Sequence, residues 1–234
     1  MRSFTIGLIA MLLASSAFAS TRPPLESANK ADMGKAAGEK QVDDAKAAAD
    51  EAKDIAAVQA YLSGISSIVA NFTQESADGS KGSGKFFLKR PGKMRWQYAP
   101  PTPILLVSDG KVVTYYDAGL DQVTYIGVDD TLAGFLTRKD IQLNSDSTKM
   151  VNYSHENGVI SIRIVQIKKP ADGSLTLEFN DKPLGIKDMI AVDATGNATT
   201  VKLSDARFGP VLDDKLFVFE DPRGVNHKRN TRSN

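Results

Sequence analysis

The sequence predicts a mainly β protein, built as one long antiparallel meander together with a single long helix. From residue 68 onward, short apolar and polar runs follow one another, and turn signals such as Pro91-Gly92, Asp109-Gly110 and Asn157-Gly158 separate them. Before that point, residues 42–66 are rich in the residue types that favour helices. Consecutive strands with short connections pair as antiparallel neighbours, and we expect such a sheet to curl around the helix.

The long helix is indicated by one apolar stripe. Ile55, Val58, Leu62 and Ile65 follow one another at spacings of three, four and three residues, which places them on one side of a helix. This stripe predicts firm packing for the second half of a helix over residues 42–66. The first half is charged and rich in alanine, so we expect it to be a solvated extension.

The predicted strands are identified by alternation and by the turns that bound them. Leu175, Leu177 and Phe179, for example, alternate with polar residues, which is typical of a strand with one wet face. The twelve predicted strands are residues 68–76, 84–90, 93–98, 103–108, 111–117, 121–127, 149–155, 158–168, 174–180, 186–193, 198–206 and 215–219.

Residues 129–143 interrupt this meander. Asp129 and Asp130 are candidates to cap a helix, and Leu132, Phe135 and Leu136 follow at helical spacing. We therefore predict a short amphipathic helix here, and its apolar side must cover another part of the protein.

Arg90 is the residue that the pattern explains least. It precedes Pro91-Gly92, and in a hairpin across that turn it shares a face with five large apolar side chains, those of Phe86, Leu88, Met94, Trp96 and Tyr98. The opposite face carries Lys89, Lys93, Arg95 and Gln97, which suits water. A charge on an apolar face is costly unless it is hydrogen-bonded or paired. Two interpretations stay open: a core arginine that extends to water, or a lined cavity in which the guanidinium binds a movable element.

The first residues indicate export. Residues 1–19 combine Arg2, an apolar run and the pattern Ala17-Phe18-Ala19, which is typical of a cleaved secretory signal. The chain has no cysteine, so we expect neither disulfides nor a lipid anchor after the cleavage site. Net charge is +1, which does not favour nucleic acid or anionic lipid as a partner. We expect a soluble periplasmic protein.

Four segments follow from composition. Residues 1–19 are the signal peptide, residues 20–41 an alanine-, lysine- and glutamate-rich linker expected to be disordered, residues 42–225 the folded domain, and residues 226–234 a flexible basic tail.

Motifs for catalysis and for metal or nucleotide binding are weak. Residues 79–85, GSKGSGK, match a phosphate-binding loop until Phe86, which stands where a serine or threonine is needed, and they lead into a strand rather than a helix. We interpret them as a flexible hairpin loop. The only histidines are His155, expected at a surface turn, and His227, and no metal-ligand or nucleophile motif accompanies them. The sequence therefore predicts no catalytic residue, no metal and no cofactor.

Residues 54–225 resemble the LolA-type periplasmic lipoprotein carriers. The resemblance rests on an ordered set of segments: IVANFTQ, GKFFLKRP, KMRWQY, APPTP, VSDGK, VTYYDAGL, DQVTYI and, near the C-terminus, FVFEDPRGV. It implies an unclosed antiparallel β-barrel, a half-barrel that wraps the long N-terminal helix and is covered by a helical lid. We expect residues 129–143 to form part of that lid and residues 207–214 to supply more of it.

The resemblance also implies site residues. The arginine of the K-R-P segment, Arg90 here, is expected to hydrogen-bond to the lid backbone and hold the empty cavity closed. The residues expected to face the acyl chains are Phe72, Phe86, Leu88, Met94, Trp96, Tyr98, Leu106, Tyr116, Leu132, Phe135 and Leu136.

The implied function is that of a monomeric periplasmic carrier. It would receive lipoproteins from an inner-membrane ABC transporter, shield their acyl chains and deliver them to an outer-membrane acceptor. An acceptor would need an anchoring cysteine, which this sequence lacks. A carrier of another hydrophobic ligand, such as a glycolipid or a pigment precursor, is the alternative.

Overall fold

The computed structural model describes residues 36–224, with the side chains of residues 36–44 and 133 left aside. The predicted signal peptide, most of the predicted linker and the predicted basic tail lie outside these described residues. Within them, no helix is long and apolar enough to cross a membrane.

The first element is a helix of 29 residues, α1 (Ala36–Gly64). It begins six residues earlier than predicted, because the alanine-rich first half favours helix whether or not it packs. Residues 45–50 are exposed, whereas Val58 and Leu62 are buried. The second half of α1 contacts strands in the second half of the sheet. Ile55 packs against the same core.

Within residues 36–224, eleven strands form one antiparallel sheet that is not closed into a barrel. They are β1 (Ser67–Ser76), β2 (Lys81–Lys89), β3 (Lys93–Tyr98), β4 (Ile104–Asp109), β5 (Val112–Asp117), β6 (Gln122–Gly127), β7 (Thr148–Glu156), β8 (Val159–Gln166), β9 (Gly173–Asp181), β10 (Leu184–Asp193) and β11 (Ala198–Phe208). Their order across the sheet is β6-β5-β4-β3-β2-β1-β11-β10-β9-β8-β7. Strands β6 and β7 are therefore the two edges, and the segment between them must cross from one edge to the other.

That crossing segment, residues 128–147, contains a shorter helix than predicted. A 3₁₀ turn at Val128–Asp130 precedes α2 (Leu132–Thr137). The cap is Thr131, whose hydroxyl accepts a hydrogen bond from the Gly134 amide at 2.9 Å, and not one of the two aspartates. Thr131 takes this role because the aspartates already belong to the 3₁₀ turn.

The inner face of the sheet carries the core. On β1 and β3 every second side chain is buried, and the Phe72 ring lies edge-on to Trp96 at 5.0 Å and to Tyr98 at 4.9 Å between ring centroids. Edge-to-face packing of this kind adds stabilisation beyond the burial of area. The face of Arg90 therefore consists of tightly packed aromatic and aliphatic groups.

The glycine-rich run is strand rather than loop, so the predicted hairpin loop at residues 79–85 is wrong from Lys81 onward. Gly82 and Gly84 lie on the inner face, opposite Gln74 and Phe72 of β1. A methyl group on Gly82 would lie 3.1 Å from the Tyr98 ring, and one on Gly84 would lie 2.8 Å from the Phe72 ring. The glycines make room for aromatic side chains of the neighbouring strands and, at Gly84, for the Gln97 carbonyl oxygen as well.

The chain leaves the sheet after β11 and crosses the outer face as a strap, which we define as residues 209–224. Pro210 accepts a hydrogen bond from the Ser67 hydroxyl, and Leu212 accepts one from the Lys89 ammonium. These contacts lie on the face opposite to the core. Residues 207–214 therefore do not supply lid material, and the expectation that they would is wrong.

The strap also corrects two further expectations. Residues 215–219 form no strand, because Asp214–Phe217 is a 3₁₀ turn whose Phe217 is buried against the outer side of β3 and β4. The polar face of β3 does not simply face water: Arg95 donates to the carbonyl oxygen of Leu216 at 3.1 Å. An alternating apolar pattern fits such a strap as well as it fits a strand.

Candidate lid and apolar face

Arg90 lies where two helices end above the inner face of the sheet. It follows the last residue of β2, and its guanidinium donates from Nε to the Leu136 carbonyl oxygen at 3.0 Å and from Nη1 to the Ile65 carbonyl oxygen at 3.0 Å. Nη1 also donates to the Leu62 carbonyl oxygen. Leu62 belongs to the last turn of α1 and Leu136 to the last turn of α2. One side chain thus joins both helices to the sheet.

These partners explain how a charge is tolerated at this site. The last carbonyl groups of a helix have no partner within it, and their partial negative charge favours a cation. The rigid fork of a guanidinium can serve several carbonyl groups at once. Burial lowers the pKa of Arg90 to about 10, so the group stays charged at neutral pH.

The turn after Arg90 adds a backbone contact to α2. The Gly92 amide donates to the Thr137 carbonyl oxygen at 2.7 Å. Gly92 has a φ of +81°, and a methyl group there would lie 2.6 Å from Gly110. Glycine is required at this position, since it adopts positive φ freely and lets the two turns approach each other.

The crossing segment is also bound to α1 directly. The Ser63 hydroxyl accepts from the Ile141 amide and the Gln59 side chain accepts from the Leu143 amide, both at 3.0 Å. Ile141 and Leu143 are fully buried. The second half of α1 and the crossing segment are therefore held together as one layer over the sheet.

A second attachment of α1 lies about one and a half helical turns before these contacts. Asp54 accepts from the Tyr153 hydroxyl at 2.7 Å, and the same carboxylate oxygen lies 2.7 Å from His155 Nδ1. His155 Nε2 lies 3.4 Å from a carboxylate oxygen of Asp181. Desolvation and the hydrogen bond to Asp54 raise the pKa of Tyr153. Sequence reasoning did not identify this cluster, because its members lie far apart in the chain.

The structure brings most of the expected lining residues together. Nine of them are buried in one core cluster, and Leu136 packs against it. The nine are Phe72, Phe86, Leu88, Met94, Trp96, Tyr98, Leu106, Leu132 and Phe135. In this conformation they pack on one another beneath α1 and α2.

Tyr116 is the exception, and its assignment to the lining is wrong. It pairs with Leu105 on the outer side of β4, and its ring lies 5.6 Å from that of Phe219 in the strap. Its neighbour Tyr115 faces the core instead. A pair of adjacent tyrosines does not reveal which one points inward, since the answer depends on strand register.

No metal centre is evident in residues 36–224, where no group of three or more histidine, cysteine, aspartate or glutamate side chains is placed to hold an ion.

Comparisons with known proteins find similar sequences and a similar solved structure. Outer-membrane lipoprotein carrier proteins of Pseudomonas aeruginosa PAO1 and Legionella pneumophila Paris are 32% and 30% identical to the chain. The first match covers 75% of this chain and 88% of the relative, and the second covers 72% and 86%. The solved structure of a LolA superfamily protein from Nitrosomonas europaea matches 67% of this chain and 91% of its own, with 12% identity and a TM-score of 0.42.

The family model described as "Outer membrane lipoprotein carrier protein LolA" matches residues 63–220, from the end of α1 through most of the strap. The chain therefore belongs to the LolA family of outer membrane lipoprotein carrier proteins.

Proposed function

We propose that this protein is a periplasmic carrier that takes lipoproteins from an inner-membrane ABC transporter and delivers them to the outer membrane. The observation that carries the proposal is the position of Arg90. Its guanidinium bonds to the last turns of both helices directly above a continuous apolar face. We propose that this group, together with the contacts of Gly92, Ser63 and Gln59, holds the lid over that face.

The cargo explains why such a face would be useful. Each buried methylene of an acyl chain contributes about 0.8 kcal/mol, so a lipoprotein with several long chains does not leave a membrane for water unaided. A carrier must cover those chains, and a partner that uses energy must load it. We infer that the transporter supplies that energy.

The closed layer of helices supports release as well as binding. The apolar residues of the inner face already pack against α1 and the crossing segment, so acyl chains must compete with this lid for the same surface. The ligand shifts the equilibrium only by its differential affinity for the open state. We propose that the three hydrogen bonds of Arg90 set this balance and prevent the carrier from holding its cargo too firmly.

The export pattern at the N-terminus and the apolar residues beneath the lid both support the role of a carrier. The pattern in residues 1–19 is that of an export signal. The cluster of residues beneath the lid is made of aromatic and aliphatic side chains, which suits shielding rather than catalysis. We propose that the protein acts as a monomer and without a cofactor.

The test is to isolate the tagged protein from the periplasm and identify by mass spectrometry what accompanies it. Wild type is compared with Arg90→Leu and with Arg95→Leu. Arg95 is a matched control, because it also donates to a backbone carbonyl but lies on the outer face.

We expect triacylated lipoproteins on all three proteins and their accumulation on Arg90→Leu alone. Equal amounts on the three would argue against the latch. Free glycolipids or pigment precursors in place of lipoproteins would assign the same fold to a different hydrophobic cargo.

A further inference from the structure

The inner face becomes polar at the strand ends that lie farthest from Arg90, where β1 ends and β11 begins. Apolar residues near the middle of β1, β3 and β11 give way there to four polar residues, Gln74, Ser76, Tyr98 and Thr199. Strand pairing brings Ser76 opposite Thr199. Tyr98 reaches across Gly82 and donates to the Gln74 side chain at 2.5 Å. The four residues therefore form one polar layer.

Two hydroxyls of this layer are buried and unpaired. The Thr199 residue is 0% exposed and Ser76 is 8% exposed. Among residues 36–224 neither the Thr199 nor the Ser76 hydroxyl finds a hydrogen-bond partner. The large majority of buried polar side-chain atoms in native proteins are paired, so each exception calls for an explanation.

Folding alone does not explain these hydroxyls. Valine has nearly the shape of threonine and would fill the same space without burying an unpaired polar group. Polar groups that weaken a fold without a local benefit are characteristic of binding sites. The unpaired hydroxyls thus point to a ligand that carries hydrogen-bonding atoms to this depth.

The apolar stretch of the inner face is long enough to hold an acyl chain. Ile68 lies at the level of Leu88, two residues before Arg90, and six residues separate it from Gln74 on β1. At about 3.3 Å per residue this stretch spans about 20 Å. One leaflet of a bilayer, half of the hydrocarbon core, is about 15 Å thick. A chain whose carbonyl end lies at the polar layer would place its methyl end over the apolar middle of β1, near Ala70 and Phe72.

We propose that Gln74, Ser76, Tyr98 and Thr199 form a subsite for the carbonyl groups at the head of bound acyl chains. Hydroxyl and amide groups donate to ester and amide carbonyl oxygens, so the layer fits the point where an acyl chain meets its glycerol or cysteine. This inference rests on the proposed function and adds an orientation to it: the head group lies at the end of the sheet opposite to Arg90.

The experiment compares ligands with and without carbonyl groups. The purified full chain is titrated with a dipalmitoyl-cysteinyl peptide that has ester linkages and with the same peptide that has ether linkages. Dipalmitoyl phosphatidylethanolamine is a third probe, which separates phospholipid from lipoprotein as the source of the esters. Trp96 is the only tryptophan of the chain and lies on the inner face, so its fluorescence reports binding.

We expect wild type to bind the ester peptide about fivefold more tightly than the ether peptide, as one net hydrogen bond predicts. Thr199→Val and the double variant Ser76→Ala, Thr199→Val should lose this preference. Thr200→Val is the matched control, because it makes the same change one residue later on the opposite face, and it should keep the preference.

A second readout needs no ligand. Thr199→Val removes an unpaired buried hydroxyl at almost constant shape, so it should raise the thermal midpoint, whereas Thr200→Val should not. If the double variant fails to fold, Thr199→Val alone decides between the outcomes. Equal binding of ester and ether peptides by wild type, or an unchanged preference in Thr199→Val, would overturn the subsite. Binding of phosphatidylethanolamine that is weaker in Thr199→Val than in wild type, together with no binding of either peptide, would keep the subsite and contradict the lipoprotein cargo.

Discussion

Arg90 and Leu136 are 46 residues apart in the chain, yet Arg90 Nε donates to the Leu136 carbonyl oxygen at 3.0 Å. The same guanidinium reaches the end of α1. The guanidinium of Arg90 therefore connects the sheet to the last turn of the six-residue helix α2 and to the end of α1. A helix as short as α2 is not stable by itself, so its position depends on contacts of this kind.

Replacing Arg90 by lysine tests the geometry of this contact rather than its charge. An ammonium group is a compact point charge and does not span carbonyl groups of two helices as a guanidinium does. We expect Arg90→Lys to lower the free energy of unfolding by about 1–3 kcal/mol, as lost charge-assisted hydrogen bonds do. Amide hydrogen exchange should become faster at residues 62–66 and 132–137. Arg95→Lys is the control, and unchanged exchange in Arg90→Lys would show that charge alone suffices.

Gly84→Ala tests the packing of the inner face. A methyl group at this position would overlap the Gln97 carbonyl oxygen and lie 2.8 Å from the Phe72 ring. We expect a loss of about 2–4 kcal/mol in the free energy of unfolding, measured by urea denaturation. Gly185→Ala lies in β10 with its nearest neighbour at 3.9 Å, and it should change stability by less than about 0.5 kcal/mol. Similar losses in the two variants would contradict this packing.

Asp214 should make the attachment of the strap sensitive to acid. Its carboxylate lies 2.6 Å from Lys89 Nζ and 2.9 Å from Lys93 Nζ, and hydrogen bonds from Lys89 and then Lys93 lower its pKa from 3.8 to about 2. A carboxylate with a lowered pKa stabilises the fold above its ordinary pKa, and this contribution is lost as pH falls from about 4 to about 2.

The measurement is the urea midpoint of wild type, Asp214→Asn and Asp146→Asn between pH 5 and pH 2. Wild type should lose more stability over this interval than Asp214→Asn does, and high salt should reduce the difference, because the pair is exposed. Asp146→Asn, a change at an exposed carboxylate outside the strap, should follow wild type. If the urea midpoints of wild type and Asp214→Asn fall in parallel as pH falls, the strap is not the origin of the acid sensitivity.

Asp54→Ala tests the second attachment of α1. The change removes the acceptor of the Tyr153 hydroxyl and the contact with His155. We expect a loss of about 1 kcal/mol in the free energy of unfolding, as for one net hydrogen bond at a partly buried site. Exchange should become faster at residues 51–58 but not at residues 62–66, which Arg90 holds. Asp50→Ala, a change at an exposed residue of the same helix, is the control. Faster exchange along all of α1 in Asp54→Ala would mean that the contacts of Asp54 and Arg90 act as one attachment.

Much of the architecture was predictable because local pattern and fold agree. Strand β3 matches its predicted bounds, and every predicted strand from residue 68 to residue 206 occurs within three residues of its place. Alternation and turn residues act over short distances, so they are readable from the chain. The Arg90 turn was identified for the same reason, since a charge among five apolar residues is a local contradiction.

The strap was not predictable, because Phe217 and Phe219 alternate as they would in a strand. Whether such a segment pairs or crosses a face depends on which edge is free, and here both sides of β11 are already occupied by β1 and β10. The glycines of β2 were misread for a related reason. Gly82 admits the Tyr98 ring, and Gly84 admits the Gln97 carbonyl oxygen and the Phe72 ring, which only strand register brings close to them.

The sequence by itself determined the strands, the long helix, the apolar face and the unusual place of Arg90, since each follows from the order of residue types along a few turns or pleats. Tertiary structure alone decided which tyrosine faces inward and where the strap lies. It also decided which groups bind Arg90 and Asp54, and that Ser76 lies opposite Thr199. Those relationships depend on register and on contacts between residues far apart in the chain, and no local pattern encodes them.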